Sequence, residues 1–483
     1  MQWSVVQRIL GLIVTMFSLT MLPPVAVSLA YDDGQWQPFA LAFVILLAIG
    51  TLVWLPVRRG ERDLKLRDGF LVVALFWAVL GVAGATPLIL GDLPRLGFTD
   101  AVFESVAGLT TTSATVLVGL DHLPKSVLWY RQELQWLGGL GVIVLAVALF
   151  PVLGIGGMQL YKAEAPGPVK DEKLTPRITQ TARALGGVYV GLTVACVIAY
   201  ALAGMDWFDA IAHAASTVST GGFSPYDAGL AHFHSTAIDT VAIVFMFLGA
   251  TNFALHFLVW RSKDSTAYFG DPQFRAYFYF ALAMIVLVTS YLLVTGVVTS
   301  PVDALRQGAF EVVSMVTTTG FVATPFSLWP GMLPALLVLL TFIGGCAGST
   351  AGGMKVIRWQ LVLMQAQREL MRLVHPSAAL PVKFADKVVP GRILAAVTGF
   401  FAIYLVLFAL MMLCVMGAGL DLMSAWSAVA ACINNAGPGL GDVASTFQGV
   451  PEAAKWVCVV AMLVGRLEVF TLVVLFTPAF WRH

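Results

Sequence analysis

Apolar runs of about twenty residues recur along this chain, the length an α-helix needs to cross hydrocarbon. They include Leu10 to Leu29, Pro38 to Val57, Phe70 to Leu90 and Val388 to Met416. A run of this kind buries its own backbone hydrogen bonds, so a chain made of such runs folds as spanning helices. Of 483 residues, 59% are hydrophobic and 11% charged, where a soluble domain has about a quarter charged. The fold class is therefore an all-α polytopic membrane protein. Net charge is +1, and no basic run or nucleic-acid motif occurs, so a nucleic-acid partner is not expected. Cys196, Cys346, Cys414, Cys432 and Cys458 lie in apolar segments without metal-ligand spacing and read as buried small hydrophobes. Arg8, an apolar run and Ser28-Leu29-Ala30 resemble a cleavable leader. The run is long and a second span follows at once, which favours a retained first helix.

Lysine and arginine give the orientation. They gather at Arg58, Arg59, Arg62, Lys65 and Arg67, and at Lys162, Lys170, Lys173, Arg177 and Arg183. Further clusters are Arg261, Lys263 and Arg275, then Lys355, Arg358, Arg368, Arg372, Lys383, Lys387 and Arg392. Only Arg95, Lys125, Arg131, Arg306 and Lys455 fall on the other side, and Arg466 stands alone inside a span. The clusters are expected in the cytoplasm, with both termini.

An internal repeat follows. "ESVAGLTTTSATV" from Glu104 aligns with "EVVSMVTTTGFVA" from Glu311, "HAASTVSTGGFSP" from His213 and, more loosely, "AVAACINNAGPGL" from Ala428. Ser113, Gly222, Gly320 and Gly437 then share one position. The period, roughly a hundred residues, is too long for a solenoid. It suits a span, a short re-entrant helix, a Thr/Gly strand and a second span. An aspartate opens each short segment (Asp100, Asp206 or Asp209, Asp303, Asp421), as a helix cap does. The charge clusters put all four short segments on the outer side, so the repeats are parallel about one axis.

Irregular backbone at membrane depth survives only where it lines a water-filled path or is packed in protein. Four Thr/Gly segments around one axis would supply rings of carbonyl and hydroxyl oxygens, which replace a cation's hydration shell. For a single copy, a small-residue packing surface is the simpler reading. Four copies in one context favour a pore.

At this point the chain resembles the Trk/Ktr/HKT superfamily of potassium transporters, the bacterial TrkH type most closely. The likeness rests on "GLTTTSATVLVGLDHLPKSVLWYRQELQWLGGLGVIVLA", "PVLGIGGMQLYKAEAPGPVK", "STVSTGGFSP", "TTTGFVATPF", "GGCAGSTAGGMK", "NNAGPG" and "GRLEVFTLVVLF". It implies ten spans: two N-terminal helices in 1–60, then four span–pore loop–span repeats in 61–155, 156–262, 263–372 and 373–483. It implies a homodimer in the bacterial inner membrane, multi-pass in its lipid, with a cytosolic TrkA-like nucleotide-binding ring as partner. Potassium is the transported ion, with no organic cofactor.

The likeness places the ion-binding filter at Thr111, Thr112, Thr220, Gly221, Thr318, Thr319, Asn435 and Ala436, supported by Ser113, Gly222, Gly320 and Gly437. Serine at 113, where the superfamily often has glycine, resembles members that admit sodium. A gate is implied at Gly345, Cys346, Ala347, Gly348 and Ser349, in a stretch (343–355) whose small residues break the helix, and at Arg466. An intramembrane arginine is by default functional; a structural ion pair is its other reading. Glu104, Glu133, His213, His256 and Glu311 read as hydrogen-bonders between helices. A cation symporter coupled to sodium or protons is the rival function. An embedded enzyme is disfavoured, since no convergent His, Asp, Ser or Cys constellation occurs.

Overall fold

The computed structural model describes residues 2–59, 66–148, 174–385 and 387–482. Arg62, Lys65, Lys162, Lys170, Lys173, the motif at 151–170 and the boundaries at 60/61 and 155/156 lie outside the described residues. Among the described residues, six helices are long and apolar enough to span: Trp3–Tyr31, Trp36–Val57, Arg67–Leu90, Gln180–Leu202, Pro272–Val294 and Gly391–Gly417. Two further candidates are bent pairs, Thr236–Gly249 with Phe253–Ser262 at 97° and Glu452–Arg466 with Phe470–Phe476 at 108°. A third interruption separates Leu333–Leu340 from Val356–Val374. The first two spans meet through glycines. A Cβ on Gly11 would strike the Trp54 backbone, and one on Gly50 would strike Thr15. Small residues allow that approach where lipid supplies no hydrophobic drive.

Four short helices, Phe98–Leu109, Trp207–Val218, Pro301–Val316 and Leu422–Ile433, lie between longer ones and are buried over most of their length. Their starts differ from the aspartate-cap expectation. Asp206 does cap, accepting from Asp209 N at 2.7 Å, and Asp421 accepts from Met423 N at 2.8 Å. In the third helix Ser300 is the cap and Asp303 only sits in the first turn. Asp100 instead pairs with Lys455 Nζ at 2.7 Å.

That pair corrects the charge reading. Arg131 and Lys455, assigned to the outer surface, are 1% and 4% exposed and each meets a carboxylate. Lys355 and Arg358, assigned to a cytoplasmic basic cluster, are drawn inward as well. Lys355 Nζ donates to Ala351 O, and Arg358 pairs with Glu468 at 2.5 Å. A count of cations cannot distinguish a solvated head from one neutralised inside. Cys414 is another correction, being exposed on Gly391–Gly417 while the other four cysteines are buried.

Candidate ion-conducting site

Each short helix ends in the same way. Thr112 N donates to Ala107 O at 2.7 Å, Gly221 N to Ser216 O at 2.8 Å, Thr319 N to Ser314 O at 2.9 Å and Ala436 N to Ala431 O at 2.8 Å. This six-to-one bond needs a left-handed residue just before the donor. Thr111, Thr220, Thr318 and Asn435 fill that place, with φ of 53°, 51°, 56° and 53°. A β-branched residue there is strained, and such strain gathers at functional sites. Three of the four supporting positions also have positive φ, Gly222 at 77°, Gly320 at 75° and Gly437 at 93°. Ser113 is the one without it.

The four segments meet. A Cβ on Gly222 would collide with Thr319 O, one on Gly320 with Ala436 O, and one on Gly437 with the Ser113 backbone. Second touches third and third touches fourth through equivalent carbonyls, and fourth touches first at Ser113 and Ala114. The contacts follow one another from segment to segment. The Ser113 hydroxyl projects into the ring, donating to Ala436 O at 2.7 Å with Thr319 O and Gly320 O at 3.2 and 3.3 Å. Beyond it opens a cavity of about 410 Å³, lined by all four segments, among them Ala114, Phe223, Phe321 and Pro438.

A side chain in each short helix holds the strand that leaves the ring. Glu104 accepts from Thr115 Oγ1 at 2.9 Å and Val116 N at 3.0 Å. Glu311 accepts from Ala323 N at 2.9 Å and Thr324 N at 3.0 Å. His213 Nε2 meets Ser224 Oγ at 3.1 Å, and Ser427 Oγ accepts from Leu440 N at 2.8 Å. These groups are hydrogen-bonders, as expected, but they tie helix to strand within a repeat. Arg131 was missed. Its Nε donates to Glu104 Oε1 at 2.7 Å and a terminal nitrogen to Ser224 O at 3.1 Å, with the Phe223 ring 4.2 Å away. It joins the first and second segments. Glu133 is buried on the same helix, and His256 Nδ1 meets the Tyr268 hydroxyl at 2.7 Å.

Residues 341–355 lie against the other end of the ring. Thr350 Oγ1 accepts from Thr220 Oγ1 at 3.1 Å. Gly352 N donates to Thr318 Oγ1 at 2.6 Å and Gly353 N to Asn434 O at 3.1 Å. One loop therefore touches the second, third and fourth segments. Arg466 completes the circuit, donating to Thr350 O at 2.8 Å and to Gly138 O, beside the first segment, at 3.2 Å. Its partners are carbonyls rather than an acid, so the structural ion pair is not what holds it; Glu468 is bonded to Arg358 instead.

The sequence placed the contact a few residues early. Gly345, Cys346, Ala347, Gly348 and Ser349 form the outer bend. Cys346 N donates to Ala250 O at 2.8 Å, Ala347 N to Gln273 Oε1 at 2.7 Å, and Phe253 N to Gly348 O at 3.0 Å. Thr350 to Gly353 face the ring. The break at Gly249 to Asn252 in the second repeat's helix receives the bend, which apolar periodicity does not reveal.

A polar axis enclosed by spanning helices, with re-entrant segments at one end and a loop across it, defines a multi-span membrane transport protein. The family model for TrkH, described as a cation transport protein, matches residues 35–483, and the chain belongs to that family. It is 53% identical over 482 residues to the Trk system potassium uptake protein TrkH of Halomonas elongata, covering 100% of both chains. It is 50% identical over 483 residues to the protein of that name from Escherichia coli K12, again covering 100% of each. The crystal structure of the potassium transporter TrkH from Vibrio parahaemolyticus superposes with a TM-score of 0.94 at 50% identity, over 100% of both chains.

Proposed function

We propose that this chain takes up potassium across the bacterial inner membrane through the ring, with both termini cytoplasmic. The carrying observation is the fourfold left-handed turn at Thr111, Thr220, Thr318 and Asn435. Such a turn presents backbone oxygens in place of hydration water. Thr111, Thr112, Thr220, Gly221, Thr318, Thr319, Asn435 and Ala436 are the proposed ligands. An inside-negative potential contributes about 2.3 kcal/mol per charge per 100 mV, enough to concentrate a monovalent cation.

The loop from Thr350 to Gly353 and Arg466 form the proposed gate. Tying three segments at once, the loop blocks the path until it is withdrawn, and the guanidinium adds like-charge repulsion. A cytosolic nucleotide-binding ring of the TrkA kind, acting on a homodimer, is the proposed source of withdrawal. A pull on Val356–Val374 reaches the loop directly, because that helix begins where the loop ends.

Purified protein in liposomes tests this. Under an imposed potential, potassium and rubidium should move faster than sodium and lithium, with no need for a sodium or proton gradient. Flux that appears only with such a gradient would establish coupled symport instead.

A further inference from the structure

The second filter segment departs from the first and third. Thr112 and Thr319 brace against the residue two earlier, with hydroxyl distances of 2.9 Å to Thr110 and 2.7 Å to Thr317. The equivalent pair in the second segment is Ser219 and Gly221, which have no such brace. The space is filled from another repeat. Gln135, fully buried on Lys125–Ala148, donates from Nε2 to Gly221 O at 2.7 Å. Its Oε1 accepts from Phe223 N at 3.0 Å and from Ser216 Oγ at 2.6 Å. Ser216 also supplies the carbonyl that receives Gly221 N. One amide thus closes a circuit through the end of the short helix, the filter carbonyl and the strand above it. A Cβ on Gly221 would overlap Gln135 Cδ and Oε1. Glycine at 221 is therefore a consequence of Gln135.

We infer that Gln135 is a positioning residue for ion discrimination: its amide fixes the Gly221 carbonyl and so the shape of the second quarter of the ring. The inference rests on the proposed pore. Gly221 is the filter residue whose carbonyl a side chain of a neighbouring long helix holds, among the described residues. A carbonyl held laterally by an amide is stiffer than one left free. Its release gives the ring more freedom to contract around a smaller cation. The same helix face carries Arg131 one turn away on one side and Gly138, the Arg466 acceptor, on the other. The amide sits between the outer strand and the gate.

The test compares Gln135→Glu and Gln135→Leu with the unaltered protein in liposomes, reading the potassium-to-sodium permeability ratio. Gln135→Glu is isosteric and keeps both acceptor contacts, and it loses the donor to Gly221 O at a pH high enough to ionise the buried carboxyl, where its ratio is read. Loss of that one hydrogen bond should lower the ratio by about threefold or more. Gln135→Leu should lower it at least as far. Gly221→Thr alone should abolish flux by collision, and Gln135→Ala with Ser219→Thr and Gly221→Thr should restore it by copying the threonine brace. A folded Gln135→Leu protein with an unchanged ratio overturns the inference, as does full flux from Gly221→Thr with Gln135 in place. If Gln135→Leu does not fold, the Gly221→Thr rescue decides. Absence of flux in the unaltered protein would instead refute the proposed pore.

Discussion

Arg466 gives the sharpest prediction, because its contacts divide between the proposed gating loop and a helix outside it. The guanidinium donates to Thr350 O in the loop and to Gly138 O on Lys125–Ala148. On the proposed gating, withdrawal of the loop must break only the first bond, since Gly138 and Arg466 both lie outside the loop. A hydrogen bond from a charged group contributes about 1.5–3 kcal/mol. Only a difference between states shifts an equilibrium, so Arg466→Ala should favour the open state by that amount. At 1.4 kcal/mol per tenfold, this is about a 10- to 150-fold rise in the ratio of open to closed. Loss of the positive charge adds to the effect in the same direction. Basal rubidium uptake into potassium-loaded liposomes, without any partner, should rise accordingly. Arg466→Lys should lie between, because a single ammonium lacks the planar fork that spans two carbonyls. A folded Arg466→Ala protein whose basal uptake does not rise would refute the gating role.

Three further outcomes follow from the same geometry. Ser113→Gly should raise the potassium-to-sodium permeability ratio with potassium flux retained, since it removes the hydroxyl from the ring, whereas Gly320→Ser should lower the ratio and most of the flux, its Cβ meeting Ala436 O, Ser113 and Pro438. Gly352→Ala should raise basal rubidium uptake by driving the loop off Asn434 O, and deletion within 345–350 should make uptake insensitive to a nucleotide-bound partner; unchanged partner dependence would exclude the loop as gate. Arg131→Met should cost about 3–5 kcal/mol by leaving Glu104 buried without its partner, and Glu104→Leu added to it should recover part of the lost thermal stability, read by size-exclusion after heating.

Local chemistry made the ring legible from sequence, while partners distant along the chain stayed hidden. A Thr/Gly run after a short segment has few uses at membrane depth, so Thr111, Thr220, Thr318 and Asn435 could be aligned by register, and all four carry the left-handed backbone. The small residues of 343–355 likewise announced a broken helix. Gln135 and Gly221 are 86 residues apart and Arg466 and Thr350 are 116 apart. No periodicity links such pairs. The charge count also treated every cation as solvated, which sent Arg131 and Lys455 to the surface. The polar run from Arg131 to Gln135 inside an apolar helix was the available signal, since buried polar groups require partners.

The helix Lys125–Ala148 shows why those hidden contacts matter together. Arg131, Gln135 and Gly138 are spaced four and three residues apart, which places them on one face. They reach the outer strand at Ser224 O, the filter at Gly221 O and the gate through Arg466. A rigid helix holding all three levels means that motion at the gate is not free to proceed independently of the second filter segment. If the helix tilts as the loop withdraws, the amide that fixes Gly221 O moves with it, and opening changes ion discrimination as well as flux. Coupling of this kind needs two discrete arrangements that both sites bias. A double-variant comparison separates the cases: with independent sites, Arg466→Ala shifts flux and leaves the permeability ratio where Gln135→Glu alone puts it. A ratio that depends on whether Arg466 is present shows that one helix carries both.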